Sequence, residues 1–146
     1  MKEVYLASDH AGTILKETII DHLRENGMIP HDLGYTGDGK ADYPDYAAIL
    51  AQNMKPVPDS FGILVCGSGI GISIAANRFP WVRAALCHDV TTAKLARQHN
   101  DANVMALGER LIGVTTALAA VDAFLATKFE AGRHSDRVEK LSQLPQ

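Results

Sequence analysis

Residues 61–78 read FGILVCGSGIGISIAANR, and this stretch decides the fold. Its apolar beginning, Phe61 to Val65, is typical of a buried strand, and its end predicts a helix that runs to about Arg78. The loop between them, from Cys66 to Gly71, is rich in glycine. A glycine-rich loop that joins a strand to a helix lets the backbone N–H groups at the helix start approach an anion closely. The stretch therefore predicts an α/β fold with a ligand site at the end of this strand.

The rest of the chain alternates between strand and helix patterns. Strands are predicted at residues 3–7, 28–33, 61–66, 82–87 and 104–107. Further helices are predicted at residues 12–26, 44–54, 89–99, 114–126 and 133–144. This alternation predicts a three-layer, Rossmann-like α/β fold, a doubly wound sheet of five parallel strands with helices on both faces. Because no repeat or linker interrupts it, residues 1–146 are expected to form a single domain.

The composition limits the classes of protein to which the chain can belong. A formal net charge of -3 at pH 7 argues against non-specific nucleic-acid binding. No apolar segment approaches the roughly 20 residues of a membrane span, and the N-terminus lacks a signal-peptide pattern. The two cysteines, Cys66 and Cys87, provide neither a disulfide framework nor the spacing of a zinc site. We expect a cytoplasmic enzyme or binding protein with no metal, nucleic-acid or membrane partner.

Chemically reactive side chains follow four of the predicted strands. The carboxyl ends of parallel strands meet at one edge of a sheet, and open α/β sheets bind their ligands outside that edge. The segments at this edge are Asp9-His10, Cys66 to Gly71, His88-Asp89 and Gly108-Glu109-Arg110. We expect their carboxylate, imidazole, thiol and guanidinium groups to converge on one site.

The residues around Cys66 leave three roles open for its thiol. A free cysteine is usually a small buried hydrophobe, and Cys87 fits that description. Cys66 differs because the helix start that follows it favours a thiolate. The glycine spacing differs from the dinucleotide fingerprint, the P-loop lysine is absent, and the hydrolase-elbow pattern is incomplete. Cys66 is therefore a nucleophile, a proton-transfer base or part of a phosphate cradle.

Arg133 and Arg137 lie four residues apart, so on a helix they would share one face. Two guanidinium groups so placed can grip one multivalent anion. A solvated basic face is the alternative, because charged side chains are mostly exposed. The pair therefore supports a phosphorylated ligand only together with other evidence.

Five sequence blocks, spread in order over nearly the whole chain, resemble one known family. They are Ser8-Asp9-His10-Ala11-Gly12, Asp42-Tyr43-Pro44, Cys66 to Asn77, Arg97 to Val104 and Gly132-Arg133-His134. The family is that of the B-type ribose-5-phosphate isomerases and related sugar-phosphate isomerases. The resemblance implies a reversible interconversion of ribose 5-phosphate and ribulose 5-phosphate through a cis-enediolate, without metal or organic cofactor.

The resemblance also assigns the residues that would carry this chemistry. Cys66 would be the proton-transfer base, and the Ser68 hydroxyl with the N–H groups of the loop would stabilise the enediolate. His99 would open the sugar ring, with Asp9 assisting near the ring oxygen. The loop residues implied here are Gly67, Ser68, Gly69, Ile70 and Gly71. Some relatives carry a catalytic glutamate at the position of Ile70, so this chain resembles the cysteine-dependent group.

The remaining implied residues bind the substrate. His10, Arg110, Arg133 and Arg137 would clamp the phosphate, and Tyr43 and Asn100 would line the sugar. The resemblance implies a homodimer whose sites contain residues of both chains, and it leaves open whether two dimers pair into a tetramer. By that analogy His99, Asn100 and Arg110 are expected from the neighbouring subunit, because the fourth helix ends opposite the edge that carries Cys66.

Two alternatives to pentose-phosphate isomerisation stay open. The same enediol chemistry would serve allose 6-phosphate, galactose 6-phosphate or a tetrulose phosphate, which differ in the pocket length they need. A non-catalytic sugar-phosphate sensor on the same fold is a second alternative. The presence of both Cys66 and His99 disfavours a sensor, since a sensor needs the phosphate clamp but not the base.

Overall fold

A five-stranded, all-parallel sheet forms the centre of the computed structural model, which describes residues 3–145. The strands are Val4–Ser8 (β1), Pro30–Asp32 (β2), Phe61–Cys66 (β3), Ala84–Leu86 (β4) and Val104–Gly108 (β5). Their order across the sheet is β2-β1-β3-β5-β4. The predicted doubly wound sheet of five parallel strands is confirmed.

Helices cover both faces of this sheet. They are Thr13–Glu25 (α1), Tyr43–Met54 (α2), Ile70–Ala76 (α3), Val90–Asn100 (α4), Val114–Ala126 (α5) and Ser135–Gln143 (α6). One core cluster joins the sheet to α1, α4 and α5, and a second joins it to α2 and α3. The predicted three layers are therefore confirmed. Among residues 3–145, no helix combines the length and the apolar character that crossing a bilayer requires.

Strand β3 lies at the centre of the sheet and is buried along its whole length. Its side chains alternate between the two core clusters, so that Ile63 packs on the α1 face and Leu64 on the α2 face. Each such apolar side chain contributes about 1.5–3 kcal/mol when it is fully buried. The two cysteines lie in different clusters, because Cys66 at the end of β3 belongs to the α2–α3 cluster and Cys87, directly after β4, belongs to the α1–α4–α5 cluster.

The predicted elements differ from the observed ones mainly at their ends. The edge strands β2 and β4 are three residues each, shorter than predicted. Helix α3 ends at Ala76, and the next side chain, that of Asn77, is hydrogen-bonded to the backbone of Ala84. Asn77 Oδ1 accepts from the Ala84 N–H group over 2.7 Å, and Asn77 Nδ2 donates to the Ala84 carbonyl oxygen over 2.9 Å. The last predicted helix is divided, since Arg133 lies in a short 3-10 turn and Arg137 in α6.

The strand order fixes where a ligand can bind. From β1 the chain first adds β2 on one side and then β3 on the other, so the sheet reverses its winding direction between β1 and β3. The carboxyl ends of these strands flank the crevice in which open α/β sheets bind ligands. In this register Ser8 pairs with Val65, and Cys66 pairs with Gly108 of β5. The segments after β1, β3 and β5 therefore meet at one place.

Candidate active site

A cleft of about 500 Å³ opens at this crevice. We call it the cysteine cleft. Its lining residues are Asp9, His10, Ala11, Tyr43, Cys66, Gly67, Ser68, Ile70, Gly71, Arg110 and Leu111. The structure thus brings together most residues that the sequence assigned to the site, from four separate parts of the chain.

The Cys66 sulfur is held by the backbone of its own loop. The N–H group of Gly69 donates a hydrogen bond to Sγ over 3.1 Å. Gly69 has a φ of 77°, and a Cβ on it would lie 2.6 Å from Leu86 and 2.9 Å from the Leu107 carbonyl carbon. Only glycine therefore allows the turn that places this N–H group on the sulfur. A backbone donor aimed at sulfur stabilises negative charge there, as a thiolate requires.

Ser68 and Tyr43 also line the cysteine cleft. The Ser68 Oγ accepts a hydrogen bond from the Ile70 N–H over 3.2 Å, which orients the hydroxyl and leaves its hydrogen for a ligand. The Tyr43 ring lies over Gly71, where a Cβ would come within 2.6 Å of the ring. The missing side chain at Gly71 is thus what lets the aromatic ring approach the loop.

Arg110 lies in the cysteine cleft of its own chain, which corrects the expectation that the neighbouring subunit supplies it. The reason is the adjacency of β3 and β5. The loops that follow these strands are joined by bonds from Glu109 N to Cys66 O (2.9 Å) and from Arg110 N to Gly67 O (3.0 Å). The Arg110 guanidinium therefore adds positive charge beside the Cys66 loop.

Asp9 and His10 lie on the opposite wall, at the end of β1. Asp9 Oδ1 accepts hydrogen bonds from the N–H groups of Ala11 (2.9 Å) and Gly12 (3.1 Å), so Oδ2 is the oxygen that a ligand can use. His10 Nδ1 contacts the backbone N–H and C=O groups of Ala41, at 3.0 and 3.1 Å. This contact holds the ring in place and leaves Nε2 as the ring nitrogen that a ligand can contact.

Two other carboxylates at the strand ends have structural roles. Glu109 Oε1 accepts a hydrogen bond from the Leu15 N–H group over 2.7 Å, in the first turn of α1. Asp89 caps α4, because its carboxylate accepts from the Thr92 N–H group over 2.7 Å. Hydrogen bonds from Thr92 lower the pKa of Asp89. His88 and Asp89 do not line the cysteine cleft. The prediction that this segment joins the other strand ends in one site was therefore wrong.

His99 and Asn100 lie at the other edge of the sheet. They end α4 just before β5 begins at Val104, whereas Cys66 ends β3 at the opposite edge. The His99 ring stacks on His134, with ring centroids 4.4 Å apart. The Glu130 Oε1 atom lies 3.9 Å from the Nε2 atoms of both rings. We call His99, Glu130 and His134 the histidine cluster.

Arg133 and Arg137 accompany the histidine cluster and are exposed. Burial, the neighbouring His99 and the Arg133 charge lower the pKa of His134. Sequence reasoning did not single out His134 or Glu130. Two features of the sequence point to them: His134 belongs to the block Gly132-Arg133-His134, and Glu130 lies four residues before it.

The histidine cluster is also the one place among residues 3–145 with metal-ligand spacing. The ligand atoms of His99, Glu130 and His134 lie within 4.8 Å of one another. Imidazole and carboxylate groups are ligands that zinc accepts. Two guanidinium groups nearby repel a cation and attract an anion. The arrangement therefore favours an anionic ligand, and the absence of a metal remains a prediction.

The two thiols are expected to differ in reactivity. Burial raises the pKa of the Cys87 thiol to about 11, whereas Cys66 lines the cysteine cleft and accepts the Gly69 hydrogen bond. Because the thiolate is the nucleophile, we expect iodoacetamide at neutral pH to alkylate Cys66 at least about tenfold faster. Peptide mass spectrometry of the native protein measures both rates. A Cys66→Ser variant is the control, and equal labelling of both cysteines in the native protein would contradict the expectation.

Comparison with known proteins gives one consistent result. The family model described as Ribose/Galactose Isomerase matches residues 4–141. Ribose-5-phosphate isomerase B of Escherichia coli is 44% identical over 146 residues, which is 100% of this chain and 98% of that protein. A ribose 5-phosphate isomerase B from Thermotoga maritima has a TM-score of 0.95 at 44% identity, covering 98% of this chain and 99% of that one. The Mycoplasma genitalium enzyme with bound ribulose-5-phosphate has a TM-score of 0.92 at 40% identity, covering 97% and 94%.

Proposed function

This chain belongs to the ribose/galactose isomerase family, and on that premise we propose that it interconverts ribose 5-phosphate and ribulose 5-phosphate. The observation that carries the proposal is the Cys66 sulfur, held by the Gly69 N–H group in a cleft that also contains Ser68 and Arg110. The ribulose-5-phosphate bound to the Mycoplasma genitalium relative supports the choice of substrate. Two free cysteines with no disulfide between them suit the reducing cytoplasm, where we place the enzyme.

Cys66 is the proton-transfer base of this mechanism. In the open-chain aldose, the Cys66 thiolate removes the proton from C2, next to the aldehyde carbon, and the electron pair of that bond forms the enediolate double bond. A proton also moves from the C2 hydroxyl oxygen to the C1 oxygen, so that the negative charge of the enediolate passes to the C2 oxygen. The thiol formed in the first step then returns its proton to C1 while the C2 carbonyl forms, which gives the ketose. The base is regenerated in the same turnover, and no covalent intermediate forms.

The negative charge that develops on the enediolate oxygens needs fixed donors. The Gly69 and Ile70 N–H groups already donate within the loop, to Cys66 Sγ and Ser68 Oγ. The stabilising groups are therefore the Ser68 hydroxyl and the loop's remaining N–H groups, with the Arg110 guanidinium beside them. Donors that are oriented before the reaction stabilise a developing oxyanion without further rearrangement.

Ring opening needs a second subunit. His99, the proposed acid–base for this step, lies at the opposite edge of the sheet from Cys66, so the His99 of one chain serves the cysteine cleft of its partner in a homodimer. Exposed apolar side chains on α3 support this arrangement: Ile70 is 50% exposed and Ile74 61%, and they share a helix face beside the cleft. A symmetric dimer would cover such a patch and would build two identical shared sites.

The phosphate is bound by His10 and Arg110 from one chain and by Arg133 and Arg137 from the other. We expect Arg137→Ala to raise KM at least about tenfold while kcat changes less than about threefold, because phosphate contacts act equally on bound substrate and transition state. Steady-state kinetics with ribose 5-phosphate measures both constants. Lys140→Ala, which removes another exposed cation on α6, is the matched control. An unchanged KM in Arg137→Ala would remove this residue from the phosphate site.

The substrate assignment is tested by comparing kcat/KM for four-, five- and six-carbon aldose and ketose phosphates. We expect ribose 5-phosphate and ribulose 5-phosphate to give the highest values. A higher value for allose 6-phosphate, galactose 6-phosphate or a tetrulose phosphate would mean that this sugar phosphate is the preferred substrate of the same isomerisation reaction. Binding of a sugar phosphate with no turnover of any would mean that the chain is a sensor.

A further inference from the structure

Lys16 carries a charge inside the protein. It lies near the start of α1, as the fourth residue of the helix, and its side chain is 0% exposed. Nζ donates to Asp32 Oδ1 over 2.7 Å and to the carbonyl oxygen of Tyr35 over 3.0 Å. Burying an ammonium group is costly, and apolar side chains of similar volume are often as stable in such positions. A role other than stability therefore has to be considered for this charge.

The partners of Lys16 fix the start of one loop. Asp32 Oδ1 also accepts a hydrogen bond from the Gly34 N–H group over 2.9 Å. The same segment is bonded to the end of β1, from Ser8 N to Gly34 O (2.8 Å) and from Tyr35 N to Ser8 O (3.0 Å). The buried Lys16 ammonium group therefore joins α1, β2 and the first residues of the loop 34–42 at a single point.

The other end of this loop contacts or adjoins residues that line the cysteine cleft. The Tyr35 hydroxyl donates to the Gly39 carbonyl oxygen over 3.0 Å and thereby closes the loop on itself. Ala41 then contacts His10 Nδ1, at 3.0 and 3.1 Å. Tyr43 follows directly and lines the cleft. The positions of His10 and Tyr43 thus depend on the segment that Lys16 holds.

We propose that the buried Lys16, through its ion pair with the partly exposed carboxylate of Asp32, is a positioning residue that fixes the loop 34–42 and so sets the affinity of the cysteine cleft for its phosphorylated substrate. It does not touch the reacting atoms. Its effect passes through the Tyr35 carbonyl and the loop to His10 and Tyr43. The affinity part of this inference rests on the proposed function, whereas the fixing of the loop does not.

The test uses Lys16→Met together with the double variant Lys16→Met/Asp32→Asn, which removes both charges of the pair and so leaves neither partner unpaired. In both we expect KM for ribose 5-phosphate to rise at least about tenfold, with kcat within about threefold of the wild type. In the absence of substrate, the amides of residues 34–42 are expected to exchange hydrogen at least about tenfold faster. This second measurement tests the positioning role even if another sugar phosphate is the substrate.

Ile19→Val is the matched control, because Ile19 is a fully buried neighbour on the same helix that packs in the apolar core. It is expected to lower the melting temperature while leaving KM and the exchange of residues 34–42 unchanged. Unaltered loop exchange in the double variant would overturn the proposal. A rise of KM in Ile19→Val equal to that in Lys16→Met would overturn it too, since loss of stability alone would then explain the effect.

Discussion

Replacing Cys66 by alanine is expected to lower kcat/KM for ribose 5-phosphate by about a thousandfold or more, because the reaction loses its proton-transfer base. The rest of the cysteine cleft should persist. Gly69 keeps its turn, and the bonds from Glu109 to Cys66 O and from Arg110 to Gly67 O involve only the backbone at the cysteine. Binding of the substrate, measured by calorimetry, should therefore stay within about threefold of the wild-type value.

Two further variants separate a chemical role from a structural one. Cys66→Ser keeps the size of the side chain but replaces the thiol by a much weaker acid, and it is expected to be nearly as inactive as Cys66→Ala. Cys87→Ala removes the other thiol from the α1–α4–α5 core cluster, so it should lower the melting temperature and leave turnover nearly normal. Near-normal turnover of Cys66→Ala would show that Cys66 is not the base.

His99→Asn is expected to lose at least about a hundredfold in kcat/KM on ribose 5-phosphate, because the cyclic sugar is no longer opened efficiently. A tetrose phosphate that does not form the ring should be affected far less, provided that the wild type turns it over. Asparagine keeps a polar side chain at this position but lacks the Nε2 atom that faces Glu130 and the ring that stacks on His134. Equal losses on both substrates would contradict the ring-opening role.

Mixing two inactive variants tests whether the site is shared. In a heterodimer of Cys66→Ala and His99→Asn chains, one site combines both defects and the other combines both wild-type residues. Co-refolded or co-expressed mixtures should therefore regain about a quarter of the wild-type activity, because half of the dimers carry one intact site. Each variant refolded alone is the control. No recovery in a mixture that is shown to contain heterodimers would mean that Cys66 and His99 of one chain work together.

Much of the fold could be predicted because its signals are local. The central strand β3 and helix α5 begin and end where the sequence predicts, since one is a continuous apolar run and the other has a clear apolar face. The edge strands β2 and β4 are shorter than predicted. Their limits are set by pairing with a single neighbour, which the sequence of the strand itself does not contain.

The site was predictable as a set of residues but less so as an arrangement. Asp9, His10 and the Cys66 loop were expected to lie together because each follows the carboxyl end of a parallel strand. The cysteine cleft confirms that they are close. It also included Asp89, whose carboxylate caps α4. The origin of Arg110 was predicted wrongly, because the adjacency of β3 and β5 follows from the sheet order and not from the sequence order. Contacts such as that between Lys16 and Tyr35 depend on tertiary packing alone.

The separation of the two cysteines by the sheet has a consequence for oxidative damage. A thiolate that reacts with peroxide forms a sulfenic acid, which a nearby cysteine can rescue by forming a disulfide. Cys66 has no such partner in its own chain, because Cys87 is packed in the core on the other face of the sheet. Recovery of an oxidised Cys66 would then depend on a small thiol that can enter a cleft of about 500 Å³. Without one, further peroxide converts the residue to the sulfinic acid, and the damage becomes permanent.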